Sequence, residues 1–133
     1  MRNRLKSFFN SDADSDADDL LAQAWAAIEA GDDETARQIL GRALEEADDS
    51  ALAWYYLSQV IDTDIERLYC LYRVLRIDPG DELAQDDLRQ LSKVDVLTKA
   101  QVAILAGDKA SGRRLITQLL DQGQYDKETW LWL

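Results

Sequence analysis

Histidine is absent from this 133-residue chain, and cysteine and proline each occur once. Without histidine there is no Ser-His or Cys-His dyad, and the commonest general base is missing. One cysteine, Cys70, permits no internal disulfide and suits a reducing compartment. Flanked by Tyr69 and Leu71 on a helical stretch, it reads as a small core residue rather than a nucleophile. Gly-rich phosphate loops, paired cysteines and His-x-x-x-His spacings are also missing. Bases are scarce, 15 against 26 acids for a net charge of −11, so phosphate backbones are repelled and no nucleic acid is expected as a ligand. No apolar run approaches the roughly 20 residues that cross a bilayer. The basic start MRNRLKSFF has no apolar core of signal-peptide length. These absences predict a cytoplasmic protein, not an enzyme, with neither metal nor cofactor and no membrane span.

What is present is helix. Leu, Ala, Asp and Arg dominate while Val, Ile and Thr are sparse, a bias that favours helix over strand. Residues 1–19 stand apart as a flexible tail, basic and then acidic, with five aspartates in SDADSDADD. Asp12, Asp14 and Asp16 alternate as in a calcium-binding loop. Such a loop also needs Gly at its sixth position and Glu at its twelfth. Ala17 and Gln23 stand there instead, so no calcium site is expected.

From residue 20 the apolar period is that of helices, about eight of them joined by very short turns, which force neighbours to run antiparallel. Gly31 ends the first of them, Pro79-Gly80 closes the fourth, and Ser92 with Asp95 has the spacing of a capping box. The last, DKETWLWL, ends the chain.

The helices repeat. A shift of 76 residues aligns 19–57 with 95–133 without a gap, and 12 of the 39 pairs are identical, against two or three by chance. AGDDETARQIL at Ala30 returns as AGDKASGRRLI at Ala106. A weaker repeat, at a shift of 31, superposes RALEEADDSALA on RVLRIDPGDELA. Periods of this size belong to stacked supersecondary units, each unable to bury its apolar face alone. The organisation expected is a first module over 20–92, with the short polar helix 81–92 as its cap, and a second, incomplete copy over 93–133.

On these motifs the chain resembles a divergent tetratricopeptide-repeat array, over residues 18–133. That family's pattern places Trp, Leu-Gly and Tyr on a first helix, then Ala, Phe, Ala and Pro on a second. Trp54, Leu57, Ser58 and Ile61 match or replace the first set, and Arg67, Leu71, Val74 and Pro79 fall at the second. Ala24, Ala27, Ala36, Leu40 and Ala43 take such places in the first hairpin; Ala100, Ala103, Gly112, Ile116 and Leu119 do in the third. The spacing departs from the family's, because Asp48, Pro79 and Gln124 are 31 and 45 residues apart. The resemblance implies an all-α fold of antiparallel hairpins stacked as a right-handed solenoid. It also implies a groove, lined by first helices, that holds a peptide or a partner segment.

Trp25, Tyr55 and Gln59 are the residues expected to line such a groove, since Trp54 and Leu57 are spaced for the core and Tyr55 is rotated away from them. The competing expectation is that these side chains pack between neighbouring helices. At the other end, TWLWL is the counterpart of AWYYL, the start of a hairpin's first helix, without the helix that would cover it. Trp130, Trp132 and Leu133 are therefore expected to self-associate, either because the sequence is a piece of a longer array or because another subunit supplies the cover. Charge is unevenly shared: residues 20–57 carry eight acids and two bases, whereas 93–133 carry five acids and six bases. That reads either as two copies able to meet head-to-tail between chains or, more simply, as neutral drift of solvated faces. Two functions follow as expectations, a protein-interaction scaffold and, as the alternative, a self-assembling homo-oligomeric subunit.

Overall fold

In the computed structural model, residues 12–123 are described. They contain seven α-helices and no strand: α1 (Asp12–Glu29), α2 (Asp33–Glu46), α3 (Ala51–Val60), α4 (Asp64–Ile77), α5 (Glu82–Gln90), α6 (Val96–Leu105) and α7 (Lys109–Asp121). The all-α expectation holds for these residues. The eighth expected helix, over 126–133, lies outside them.

Each helix from α2 onward starts where a short polar side chain accepts the orphan N–H of the first turn. Asp32, Ser50, Thr63, Asp81, Asp95 and Asp108 accept from Thr35, Ala53, Glu66, Ala84, Thr98 and Ser111 respectively. At α4 the Thr63 hydroxyl also donates to Glu66 Oε1 at 2.8 Å. The expected cap at Ser92 is corrected: Asp95 itself is the cap, and the helix begins at Val96. Its carboxylate reaches the Thr98 N–H at 2.8 Å, the role assigned in the sequence to a residue three positions earlier. The first helix begins at Asp12, inside the aspartate-rich stretch, whose acids suit the positive end of a helix dipole.

The chain divides into two compact units, Met1–Ile61 and Asp62–Leu133. In the first, α1 packs on α2, α2 on α3, and α1 also meets α3. Ala24, Ala36, Leu40, Ala53 and Val60 form its core, with Leu21, Ala27, Ile28 and Leu57 against them. Small residues where helices meet let the backbones approach closely. Arg37 on α2 donates through Nη1 to the Val60 carbonyl at 2.5 Å, satisfying a group that the C-terminus of α3 leaves open. The Trp54 indole donates to the Asp48 carbonyl at 2.8 Å and so fastens the α2–α3 turn.

In the second unit, α6 and α7 form a hairpin around Ala100, Ile116 and Leu119, and α4 packs on both α5 and α6. Gly112 makes the α6–α7 contact close: a Cβ built there would stand 2.6 Å from Ile104 Cγ1.

The 76-residue repeat is visible in the backbone. In both copies the turn between helices is a Schellman motif, with the glycine in the left-handed region (Gly31 φ 78°, Gly107 φ 86°). Gly31 and Gly107 donate to the carbonyls of Ile28 and Ile104, each at 3.0 Å. Asp32 and Asp108 donate to those of Ala27 and Ala103, each at 2.9 Å. The aspartate that closes one helix is also the cap that opens the next. One residue doing both tasks is what allows a three-residue link, and two packed helices so linked must run antiparallel.

Candidate functional site

In the first unit, Trp25 projects from α1 with 45% of its surface exposed, although its neighbours Leu20 and Ala24 are buried. Residues 21, 24, 27 and 28 turn toward the core at helical spacing, and position 25 falls at the edge of that stripe. The ring that meets Trp25 is Tyr56 on α3, with centroids 5.3 Å apart and planes tilted by 31°. Such a geometry is favourable for two aromatic rings. Tyr56 also packs on the core cluster, so it holds the indole from below while the indole's outer face remains open.

Of the residues predicted for a groove, Trp25 and Gln59 are exposed and Tyr55 is half-buried. Tyr55 and Gln59 lie one turn apart on α3, joined through Ser58. The Ser58 hydroxyl donates to the Tyr55 carbonyl at 2.5 Å, and Gln59 Nε2 donates to Ser58 Oγ at 3.0 Å. Tyr56 was not predicted. Each helical residue turns by roughly 100°, so a one-residue difference decides which tyrosine faces α1. The sequence signal was there, in the spacing of Tyr56 from Ala53 and Val60, three and four residues to either side. Trp130, Trp132 and Leu133 lie outside the described residues.

The aspartates considered for calcium lie in helix α1 rather than in a loop, and no group of three or more metal-ligating side chains occurs among the described residues. No helix among those residues is long and apolar enough to cross a membrane. Cys70 is buried on α4, and burial, aided by the charge of Glu66, pushes its thiol up to about 12. A thiol so placed has very little thiolate at neutral pH.

The second unit holds a cleft of about 410 Å³ between α4, α5, α6 and α7. Its apolar wall includes Leu75, Leu88 and Leu115; its polar groups include Tyr72, Lys99, Asp108 and Arg114. Asp108 is the counterpart of Asp32, yet Asp32 is exposed while only 5% of Asp108 is. The difference comes from α4, which runs beside the α6–α7 turn. Arg73 Nη1 donates to the Ala106 carbonyl at 3.4 Å, and a Cβ built at Gly107 would lie 3.0 Å from Arg76 Cδ. At Gly31 the same construction meets nothing within 4 Å. Burial, together with the charge of Asp108, pushes the Tyr72 phenol up to about 12, and Arg114 acts in the opposite direction. The cleft leaves no signal in the sequence, where Asp32 and Asp108 stand in the same motif AGD.

Compared with known protein families, with curated proteins and with solved structures, the chain has no match.

Proposed function

We propose that the chain is a non-catalytic interaction module of tetratricopeptide-like helical hairpins, which holds a peptide or partner segment against the aromatic face of α1 and α3. The observation that carries this reading is the Trp25–Tyr56 pair: a large indole left 45% exposed in a chain of net charge −11, on a preformed support. Tryptophan and tyrosine are the side chains over-represented where partners bind tightly, because they bury much area while losing few rotamers. Gln59, exposed three residues beyond Tyr56 on α3, adds a polar side chain beside the pair, and Tyr55 is half-buried next to it. The Schellman turns shared by the two copies support the repeat, and the lack of histidine together with the buried thiol of Cys70 supports a role without catalysis.

Panning a displayed peptide library on the intact chain tests the reading. Peptides are expected to be enriched on the parent, to bind Trp25→Ala at least roughly tenfold more weakly, and to quench tryptophan emission. Selected peptides that bind parent and Trp25→Ala alike, with matching melting curves, would sink it.

The alternative is a self-assembling subunit joined through Trp130, Trp132 and Leu133. The charge difference between the two copies favours it. Sedimentation of the intact chain against one ending at Gln124 decides the matter, and a strict monomer in both removes this alternative.

A further inference from the structure

Asp108 in the second unit is a buried carboxylate with only half of its hydrogen bonding accounted for. Oδ1 accepts from the Ser111 N–H at 3.2 Å, whereas Oδ2, also buried, has no donor among the described residues. An acceptor removed from water and left unpaired is costly, and more so when charged. Here the oxygen belongs to a residue that lines the 410 Å³ cleft, a volume within the range of small-molecule sites. The same cleft is lined by Lys99 and by Arg114, whose Nη2 donates to Ser111 Oγ at 3.3 Å, and neither base forms an ion pair with a carboxylate of the described residues. Arg89, also at the cleft, is engaged with Asp86.

We propose that this cleft binds a small zwitterion of the α-amino-acid class, with its ammonium on Asp108 Oδ2, its carboxylate on Lys99 and Arg114, and an apolar side chain against Leu75, Leu88 and Leu115. The charges select this class. A plain cation would satisfy Asp108 but be repelled by the two bases, and a plain anion would be repelled by the buried carboxylate. A molecule carrying both signs meets each with its opposite, through charge-assisted hydrogen bonds. The two ends must be close together, because Ser111 touches both groups: its N–H donates to Asp108 Oδ1 at 3.2 Å and its hydroxyl accepts from Arg114 Nη2 at 3.3 Å. A short span suits an α-amino acid better than a long ω-amino acid. The site is separate from the aromatic face of the first unit, so either holds without the other.

Titration of the intact chain with L-leucine, followed by ¹⁵N-resolved NMR and calorimetry, tests the proposal. Saturable binding is expected, with shifts at Tyr72, Asp108, Ser111 and Leu115. The analogue without the ammonium, 4-methylpentanoate, and the analogue without the carboxylate, 3-methylbutylamine, should each bind roughly tenfold more weakly or worse. Asp108→Asn keeps a good helix cap and should lose at least roughly tenfold in affinity. Arg114→Gln, on an exposed side chain, tests the other half of the site should the first variant fold poorly. Trp25→Ala should leave leucine binding unchanged. The proposal is overturned by the absence of saturation up to about 10 mM leucine, a range that covers even millimolar affinity. It is equally overturned by 4-methylpentanoate binding as tightly as leucine, which would mark a simple anion site. An acidic peptide that shifts these resonances where leucine does not would assign the cleft to a protein partner instead.

Discussion

Alanine at Gly112 is the most direct probe of how closely α6 and α7 approach. The added Cβ would stand 2.6 Å from Ile104 Cγ1 and 3.3 Å from its Cδ1, with the carbonyl oxygen of Ala100, one turn before Ile104 on the same helix, 3.7 Å away. Carbon atoms rest about 3.5–4.0 Å apart, so roughly 1 Å must be made up by movement. Ile104 is β-branched and stiff at χ1, and its Cγ1 is near the root of the side chain, so the helix has to shift instead. Overpacking of this kind costs about 1–3 kcal/mol, against which alanine recovers about 1 kcal/mol of helix propensity. The net expectation is a loss of about 1 kcal/mol. Gly41, within α2, provides the control: nothing lies within 4 Å of its added Cβ, so Gly41→Ala should gain about 1 kcal/mol from propensity alone. The two alanines should therefore differ by about 2 kcal/mol, or roughly 8 °C in melting midpoint for a chain of this size. Circular dichroism at 222 nm with heat and urea reads both. If Gly112→Ala is as stable as the parent, the helices do not approach as closely as described and the reasoning fails.

Other perturbations probe other parts of the molecule. The Asp95 carboxylate is held below the usual aspartate range chiefly by the backbone N–H of Thr98, at the α6 cap. Its stabilisation should be fully present above the unfolded value, near pH 4, and be lost as pH falls below it; Asp95→Ala should flatten that acid limb in melts taken between about pH 2 and 6. Cys70 should resist a thiol reagent at pH 8 in the folded chain and react rapidly in denaturant; rapid labelling of the native protein would contradict its burial. Trp25→Ala should change stability by less than about 1 kcal/mol, whereas Tyr56→Ala, on the core side of the pair, should cost about 2 kcal/mol or more in urea unfolding. Gly31→Ala and Gly107→Ala should both destabilise by roughly 1 kcal/mol for the left-handed backbone, with Gly107→Ala the worse because Arg76 must also move.

What was legible in the sequence was local. The hairpin turns at Gly31 and Gly107 depend on three adjacent residues and a helix on either side, and the 76-residue shift displayed them twice. The order of the described helices followed from apolar period and short polar caps for the same reason. Position on a helix was less legible: Tyr55, Tyr56 and Leu57 are consecutive and all large, and choosing which one meets α1 requires the α1–α3 contact itself. Ser92 reads as the cap with Asp95 as its partner three residues on, and only the hydrogen bond to Thr98 shows that Asp95 is itself the cap. Least legible was Asp108, whose burial is imposed by α4, about thirty-five residues earlier in the chain. Nothing within the motif AGD distinguishes it from Asp32.

That pair of turns bears on how duplicated segments drift apart. Two stretches with the same backbone hydrogen bonds are under different constraints once a third helix covers one of them. At position 32 an Asn or Ser serves the cap as well as an aspartate. At position 108 the choice of side chain also decides which charge lies beneath α4. Relatives of this chain should therefore vary freely at the first turn and hold the second, so that the older symmetry survives in the backbone after it has been lost from the side chains.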